Sequence, residues 1–467
     1  MTSRRTTTLA GEAMTAQERR VAGWLAGVFS LRMLGLFMIL PVFALYAEHL
    51  DGATPALAGL AIGIYGLAQA IFQIPFGLLS DRFERKQIII VGLVIFALGS
   101  VVAALATSIN GVILGRALQG MGAISAAVMA LAADLTREEH RTKVMATIGV
   151  SIGVSFAVSM VAGPVLNGFV GVPGIFWITA LLALGGIGVV KFLVPDPFDH
   201  RLHRDAQPVP AQFLRVLRDP QLLRLDAGIF ALHLILTATF VAVPHALKNL
   251  IGMPASTHWE LYLPTMVLGM GAMVPFVIVA EKQRRLKQVF LGAIALLGVA
   301  EVALVGFHAG FWSIGIAMFL FFTAFNLLEA TLPSLVAKMA PPDAKGTAMG
   351  FYASTQFLGA FCGGALGGWL HGRYGLAAVF QLCALVALGW LALAATMKNP
   401  RYLSSYLLNV GAMDEAAAQR LGARLTEVRG VAEAVVSGAD GVAYLKIDRH
   451  ALDEPALLAF SVSRPPA

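Results

Sequence analysis

The chain alternates between long apolar runs and short polar breaks, and the length of the runs decides what they form. From Trp24 to Met397 the apolar stretches recur at roughly 20 residues, the length at which an α-helix crosses a hydrocarbon layer of about 30 Å. The breaks place helices near residues 21–47, 56–80, 87–107, 110–134, 142–170 and 172–194. A second set follows a polar linker, near 221–249, 259–280, 286–307, 311–338, 344–371 and 374–397. The first run is too long for a signal-peptide core and no small-residue cleavage site follows it, so it reads as the first span. The pattern predicts an all-α polytopic membrane protein with twelve transmembrane helices in two six-helix bundles.

Beyond Pro400 the periodicity changes to that of a water-facing domain. Tyr402 to Val410 alternates as a strand, and Asp414 to Val428 follows the helical period between an Asp414 cap and a Gly430 stop. Val431 to Val436 is a second strand, and the turn Gly438-Ala-Asp-Gly leads to a third at Val442 to Ile447. Asp453 to Phe460 starts a second helix. The order β-α-β-β-α is that of a small α+β ferredoxin-like domain with a truncated last edge strand. The expected organisation is a segment at 1–20, helix bundles at 21–194 and 221–397 around a linker at 195–220, and the small domain at 401–467. The linker has no apolar period apart from a short interfacial helix around Ala211 to Arg218.

Composition agrees with a lipid solvent: 58% of the 467 residues are hydrophobic and 13% charged, and the mean hydropathy is +0.76. The net charge of +7 would suggest nucleic acid in a soluble protein, but here the basic residues fall between spans rather than in one patch. One set of loops carries nearly all of them, from Arg19 and Arg20 through Arg82, Arg85 and Lys86 to Lys398 and Arg401, whereas the opposite set has Lys248 and Arg373. That asymmetry predicts a multi-pass protein of the cell inner (plasma) membrane with both termini, the linker and the tail in the cytoplasm. Cys362 and Cys383 lie inside apolar runs, and the tail offers only His450 as a soft ligand, so neither a metal nor another cofactor is expected. No G-x-x-x-x-G-K-[ST] or H-E-x-x-H occurs, and the one G-x-S-x-G, Gly149-Val-Ser151-Ile-Gly153, lies inside an apolar run rather than at a strand-to-helix turn, which points away from ATP-driven and enzymatic chemistry and towards an ion gradient.

Charges inside spans are costly, about 2.5–3.5 kcal/mol at a helix centre on insertion scales, so each is a candidate site residue. Arg32 in the first helix suits an anionic substrate group or a carboxylate partner. Arg116 shares a face with Gln119, three residues on, and is either functional or a hydrogen-bond hub. Glu329 has Asn326 at i−3 and is the leading candidate for a proton or substrate site; Glu301 has no polar companion at helical spacing. His233, near Thr237 and Thr239, either titrates or donates to a carbonyl. The rows Gly359, Gly363, Gly367 and Gly364, Gly368 in the eleventh helix, with Gly59 and Gly63 in the second, allow close helix approach.

The loop Gly77-Leu-Leu-Ser-Asp81-Arg82-Phe-Glu84-Arg85-Lys86 resembles the signature loop of the major facilitator superfamily, with Glu84 where that pattern has glycine. Leu34-Gly35 and Leu40-Pro41-Val42, Arg116-Ala-Leu-Gln119-Gly120-Met-Gly122, and Gly163-Pro164-Val-Leu-Asn167-Gly168 are similar to its drug:proton antiporter branch. A short echo between Arg141-Thr-Lys-Val-Met-Ala and Lys345-Gly-Thr-Ala-Met-Gly agrees with duplicated halves. With the tail included, the chain looks most like the YajR-type transporters. The resemblance implies two bundles rocking about a central cavity in the bilayer, with a proton and a small molecule as partners. It implies a conformational latch at Gly77, Asp81, Arg82, Arg85, Lys86 and Asp134, proton coupling at Arg116, and a kink or gate at Pro41, Gly163 and Pro164. Proton-coupled efflux of small organic or drug-like compounds is the expected function; the alternatives are an uptake facilitator for a polar metabolite and a membrane sensor signalling through the tail.

Overall fold

The computed structural model describes residues 14–196, 210–341, 343–400, 403–448 and 451–462; the expectations for Arg401, Tyr402, the middle of the linker and His450 lie outside these. The first half comprises α1 (Ala16–Phe37), α2 (Phe43–Ala47), α3 (Pro55–Arg82), α4 (Arg85–Leu105), α5 (Ile109–Met121), α6 (Ser125–Asp134) and α7 (Glu138–Phe192). The second comprises α8 (Phe213–Leu217), α9 (Pro220–His245), α10 (Trp259–Lys282), α11 (Leu286–Phe307), α12 (Phe311–Met339), α13 (Lys345–Tyr374) and α14 (Leu376–Ala395). Ten helical segments among the described residues are long and apolar enough to span a bilayer. One of them, within α7, turns at Gly171 (φ 64°, ψ 177°) and makes two passes. The 30-residue α13 is diluted by glycine and completes twelve.

Three differences from the sequence pattern have local causes. The first helix starts at Ala16 rather than near residue 21, because Thr15 and Glu18 form a capping box that extends it into polar sequence. It ends at Phe37, and turns run to Val42 around Pro41, whose ring cannot continue the helical hydrogen-bond ladder. The expected fourth helix is two pieces, α5 and α6, parted at Gly122 where the chain packs on the backbone of Gly92.

The halves meet along α13, which lies between α3 and α9. A Cβ at Gly364 would stand 2.6 Å from the Gly59 carbonyl oxygen, and one at Gly63 2.6 Å from that of Phe361. The other glycine row, Gly359 and Gly363, rests on the carbonyls of Phe230 and Leu234 in α9. Lipid chains are as apolar as leucine, so such backbone contact, rather than water exclusion, holds helices together. At the end remote from the tail, Glu48 after α2 reaches the second half: its carboxylate is 3.0 Å from Lys248 Nζ and 3.1 Å from His245 Nδ1.

The tail folds as β1 (Ser404–Asn409), α15 (Glu415–Glu427), β2 (Val431–Ser437), β3 (Val442–Ile447) and α16 (Glu454–Leu458). Its antiparallel sheet has the order β1-β3-β2, the ferredoxin-like arrangement without the outer strand. Leu408, Leu425, Ala443, Leu445, Ile447 and Leu457 form its core. Tyr444 and Lys446 point to the other face of the sheet. Lys446 Nζ, buried there, donates to the Lys338 carbonyl at the end of α12 (2.8 Å) and lies 3.8 Å from Glu433. Burial draws this ammonium below the usual lysine range, while Glu433 and Asp219 act in the opposite sense.

Replacing Gly364 with alanine is expected to push backbone against backbone and destabilise the protein by at least about 1–3 kcal/mol. Gly149→Ala, where a Cβ meets nothing within 4 Å, should leave stability unchanged or slightly raised. Thermal unfolding of the detergent-solubilised protein, followed by loss of the monodisperse chromatographic peak, compares the two.

Candidate functional site

Two polar clusters face one another across an aromatic layer inside the bundles. In the first half, Arg32 on α1 and Arg116 on α5 flank Tyr65 of α3, with guanidinium carbons 5.8 and 4.9 Å from its ring centre. Phe96 lies 5.7 Å from Arg32 on another side. Arg32 Nη2 donates to Gln69 Oε1, and Gln69 passes a hydrogen bond to Gln73 (2.7 Å). Arg116 donates to Gln119 Oε1 at 2.9 Å and to the carbonyls of Ala61 and Ile62 at 3.4 Å. Gln119 in turn donates to Ser100 (2.7 Å). Arg116 is therefore the centre of a local network. Arg32, only 1% exposed, keeps Nε and Nη1 without a hydrogen-bond partner. Among the described residues no carboxylate pairs with either arginine.

In the second half, His233 on α9 meets α12 and α13. Its Nε2 stands 3.3 Å from Glu329 Oε1 and 2.8 Å from Gln356 Nε2. Asn326 Nδ2 and the Tyr352 hydroxyl lie buried without partners in the same helices. The Glu329 side chain keeps 31% exposure. Glu301, by contrast, is enclosed within the second half, taking a hydrogen bond from Thr239 (2.8 Å). Its polar companion comes from another helix, where spacing along α11 could not show it.

The clusters are joined by rings. Phe325, 6.1 Å from His233, packs 5.4 Å from Phe156 of α7, which meets Phe37 of α1 at 5.1 Å. Phe357, next to Gln356, lies edge-on to Tyr65 at 6.3 Å.

At the tail end, Arg85 Nε pairs with Asp134 (2.8 Å), and Asp81 lies 4.0 Å from Arg85. Lys86 reaches Asp196 at 2.8 Å and the Val194 carbonyl at 2.9 Å. Gly77 accepts from Ser80 (2.7 Å), and Arg82 is exposed. These contacts tie α3, α4, α6 and the segment after α7 together. Glu84 adopts φ −59°, so glycine's freedom is not used there. Gly163 of α7 packs directly on Met38 and Pro41, placing the break after α1 against the Gly163-Pro164 step.

A match to the Major Facilitator Superfamily spans residues 25–359 and 266–407. The chain is 51% identical over 435 residues to the inner membrane transport protein YajR of Escherichia coli, covering 93% of this chain and 95% of that one. The chain belongs to the Major Facilitator Superfamily. More distant is the multidrug resistance protein MdtH of Aeromonas salmonicida, 24% identical over 77% of this chain and 89% of that protein. The fold is shared with the human organic anion transporter MFSD10, at a TM-score of 0.62 and 20% identity over 81% of this chain and all of that one. This major facilitator is accordingly a multi-pass membrane transporter and not an enzyme.

Several polar residues of the clusters escaped the sequence reading: Tyr65, Gln69, Gln73, Tyr352 and Gln356. Their signal was present as polar side chains four residues apart in apolar helices, Tyr65-x-x-x-Gln69-x-x-x-Gln73 and Tyr352-x-x-x-Gln356. The Glu48 cluster draws its residues from separate segments, so spacing along one helix does not show it.

Replacing Gln119 with leucine strips Arg116 Nη1 of its buried acceptor, while Ser100 loses a donor but keeps its bond to the Phe96 carbonyl (2.8 Å). A loss of about 1–3 kcal/mol per unsatisfied group is expected. Thermal unfolding in detergent should show Gln119→Leu well below wild type and Gln119→Glu much less affected.

Proposed function

We propose that this transporter exports small organic compounds against an inward proton flow by alternating access, with the tail and both termini cytoplasmic. The observation that carries this reading is the Glu329, His233 and Gln356 arrangement. His233 Nε2 has two polar neighbours but only one position for a proton or a lone pair. If Gln356 donates to that lone pair, an ionised Glu329 at 3.3 Å faces it without a proton between them. A single proton resolves the contact, either on the carboxyl, which then donates to the imidazole in place of the Gln356 amide, or on Nε2 with the Gln356 amide turned over. The triad thus holds one exchangeable proton beside the aromatic layer that joins the halves. Proton and solute then alternate at this layer, and Arg116 sets the potential of the opposite wall. The charges at Asp81, Arg85 and Asp134 serve as the cytoplasmic latch, and Pro41 with Gly163-Pro164 as a kink sealing the first half.

A second reading is favoured by Arg32. Its two unpartnered nitrogens and the lack of a neighbouring carboxylate among the described residues suit a solute with an anionic group, which an uptake facilitator would carry. Direction of flux and dependence on Arg32 separate the two.

In proteoliposomes with an imposed pH gradient, amphipathic fluorescent dyes should move against the proton gradient in wild type. Glu329→Gln should lose the gradient-driven component while keeping dye exchange. Flux indifferent to the gradient, or unchanged in both Glu329→Gln and Arg116→Ala, would sink the coupling.

A further inference from the structure

The contact between the halves at the end remote from the tail is chemically unlike the α3–α13 glycine contact and the aromatic layer. There glycine backbones and aromatic rings meet; here four ionisable side chains do. Glu48 belongs to the first half, and His245, Lys248 and His371 to the second. The carboxylate divides its oxygens between them, Oε1 to His245 Nδ1 at 3.1 Å and Oε2 to Lys248 Nζ at 3.0 Å. His245 is 7% exposed and stacks on His371 with ring centres 4.7 Å apart and planes at 30°. His371 Nδ1 is buried and has no hydrogen-bond partner. Glu48, Lys248 and the two imidazoles themselves are the charged or titratable groups acting on this pair.

We propose that Glu48, His245, Lys248 and His371 form a second proton-binding site that gates the outer face, closed when the imidazoles are neutral and released when they take up protons. It is separate from the Glu329 triad and rests on the alternating-access reading. The sign follows from hydration: His245 is buried in the closed contact, where a protonated ring loses its water, and separating the halves restores it. With neutral imidazoles, Glu48 and Lys248 cancel, and His245 contributes a ring nitrogen to the carboxylate. A proton on either ring leaves a net positive charge in the closed contact. Protons on both set two cations face to face, with one carboxylate already paired to lysine. Separating the halves exposes the rings to water and moves Glu48 away, so it relieves the repulsion between rings only through hydration and side-chain rotation of the second-half groups. Each histidine lies near the end of its helix, where the dipole favours a cation, but that field acts within the helix in either state and does not choose between them. Imidazoles titrate in the pH range that distinguishes the two sides of an energised membrane. Proton binding therefore shifts the population towards the open outer face by its differential affinity for the two states.

The test uses the full-length protein in lipid, with spin labels at the exposed positions Asp51 and Asn249 in a Cys362→Ala, Cys383→Ala background. Inter-label distances are read at about pH 8 and about pH 5.5, either side of the imidazole range. Wild type is expected to hold a short distance at the higher pH and to populate a longer one at the lower. His245→Gln combined with His371→Gln should stay short at both, and Glu48→Gln should lengthen the distance already at the higher pH. Glu329→Gln should leave the acid response in place. An acid response that persists in the double histidine variant, or vanishes in Glu329→Gln, overturns the gate alone. Labels that remain together in every variant at both pH values overturn the gate and alternating access together. Lys248→Met, which keeps the stem of the side chain, guards against misfolding of the histidine variants: it removes the same cross-half ion pair as Glu48→Gln, so it should lengthen the distance already at the higher pH, and a wild-type distance there counts against the gate.

Discussion

The backbone contact of α13 with α3 and α9 is the constraint on which the remaining geometry depends. Inside a bilayer the peptide groups are satisfied within their own helices, so main chains gain no hydrogen bonds with one another by approaching. They associate where small residues let main chains touch. Gly364 and Gly368 supply such a surface towards α3, and Gly359 and Gly363 supply one towards α9. The polar and aromatic positions follow directly. Gly66 rests on the Phe357 carbonyl, which fixes that ring against Tyr65. Gly359 rests on the Phe230 carbonyl, one turn from His233, which brings Gln356 within 2.8 Å of the imidazole. A bulkier α13 would move both clusters at once.

Charge is divided unevenly about this contact. At the facing clusters, the first half places the guanidiniums of Arg32 and Arg116 among neutral amides, a tyrosine and main-chain carbonyls. The second places the Glu329 carboxyl and the His233 imidazole there, both groups that can lose or gain charge. A guanidinium is effectively always protonated, so the first half presents a constant field. The second half, with Glu329 beside His233, presents a variable one. Fixed charge facing adjustable charge is an arrangement in which a proton can change the interaction between halves without any change in covalent structure.

The fold was legible because its determinants are local. Run length located the passes, and loop basicity marked which helix ends share a side. The turn at Gly171 fell at the expected boundary between the fifth and sixth helices. Pro41 and Gly122 interrupted helices that hydropathy alone drew as continuous, since hydropathy does not register a missing N–H or a close backbone. The pairings of Arg116 with Gln119 and of the glycine rows with their neighbours were visible as spacing. What could not be read was contact between distant segments. Glu301 looked solitary until α9 brought Thr239 to it, and nothing in the sequence around Glu48 shows the partners that the second half supplies. The triad at His233 draws one residue from each of three helices, so no single stretch of sequence contains it.

The seating of Lys446 on the last turn of α12 has a mechanical consequence. The same helix carries Phe325, Asn326 and Glu329 further along its length, and Pro333 between them and Lys338 leaves the Glu329 carbonyl without a helical N–H donor, a place where the helix can bend. The sheet is therefore held to the short segment beyond that bend. Any tilt of that segment would carry the small domain with it, and the displacement would grow towards the far, water-facing edge of the sheet.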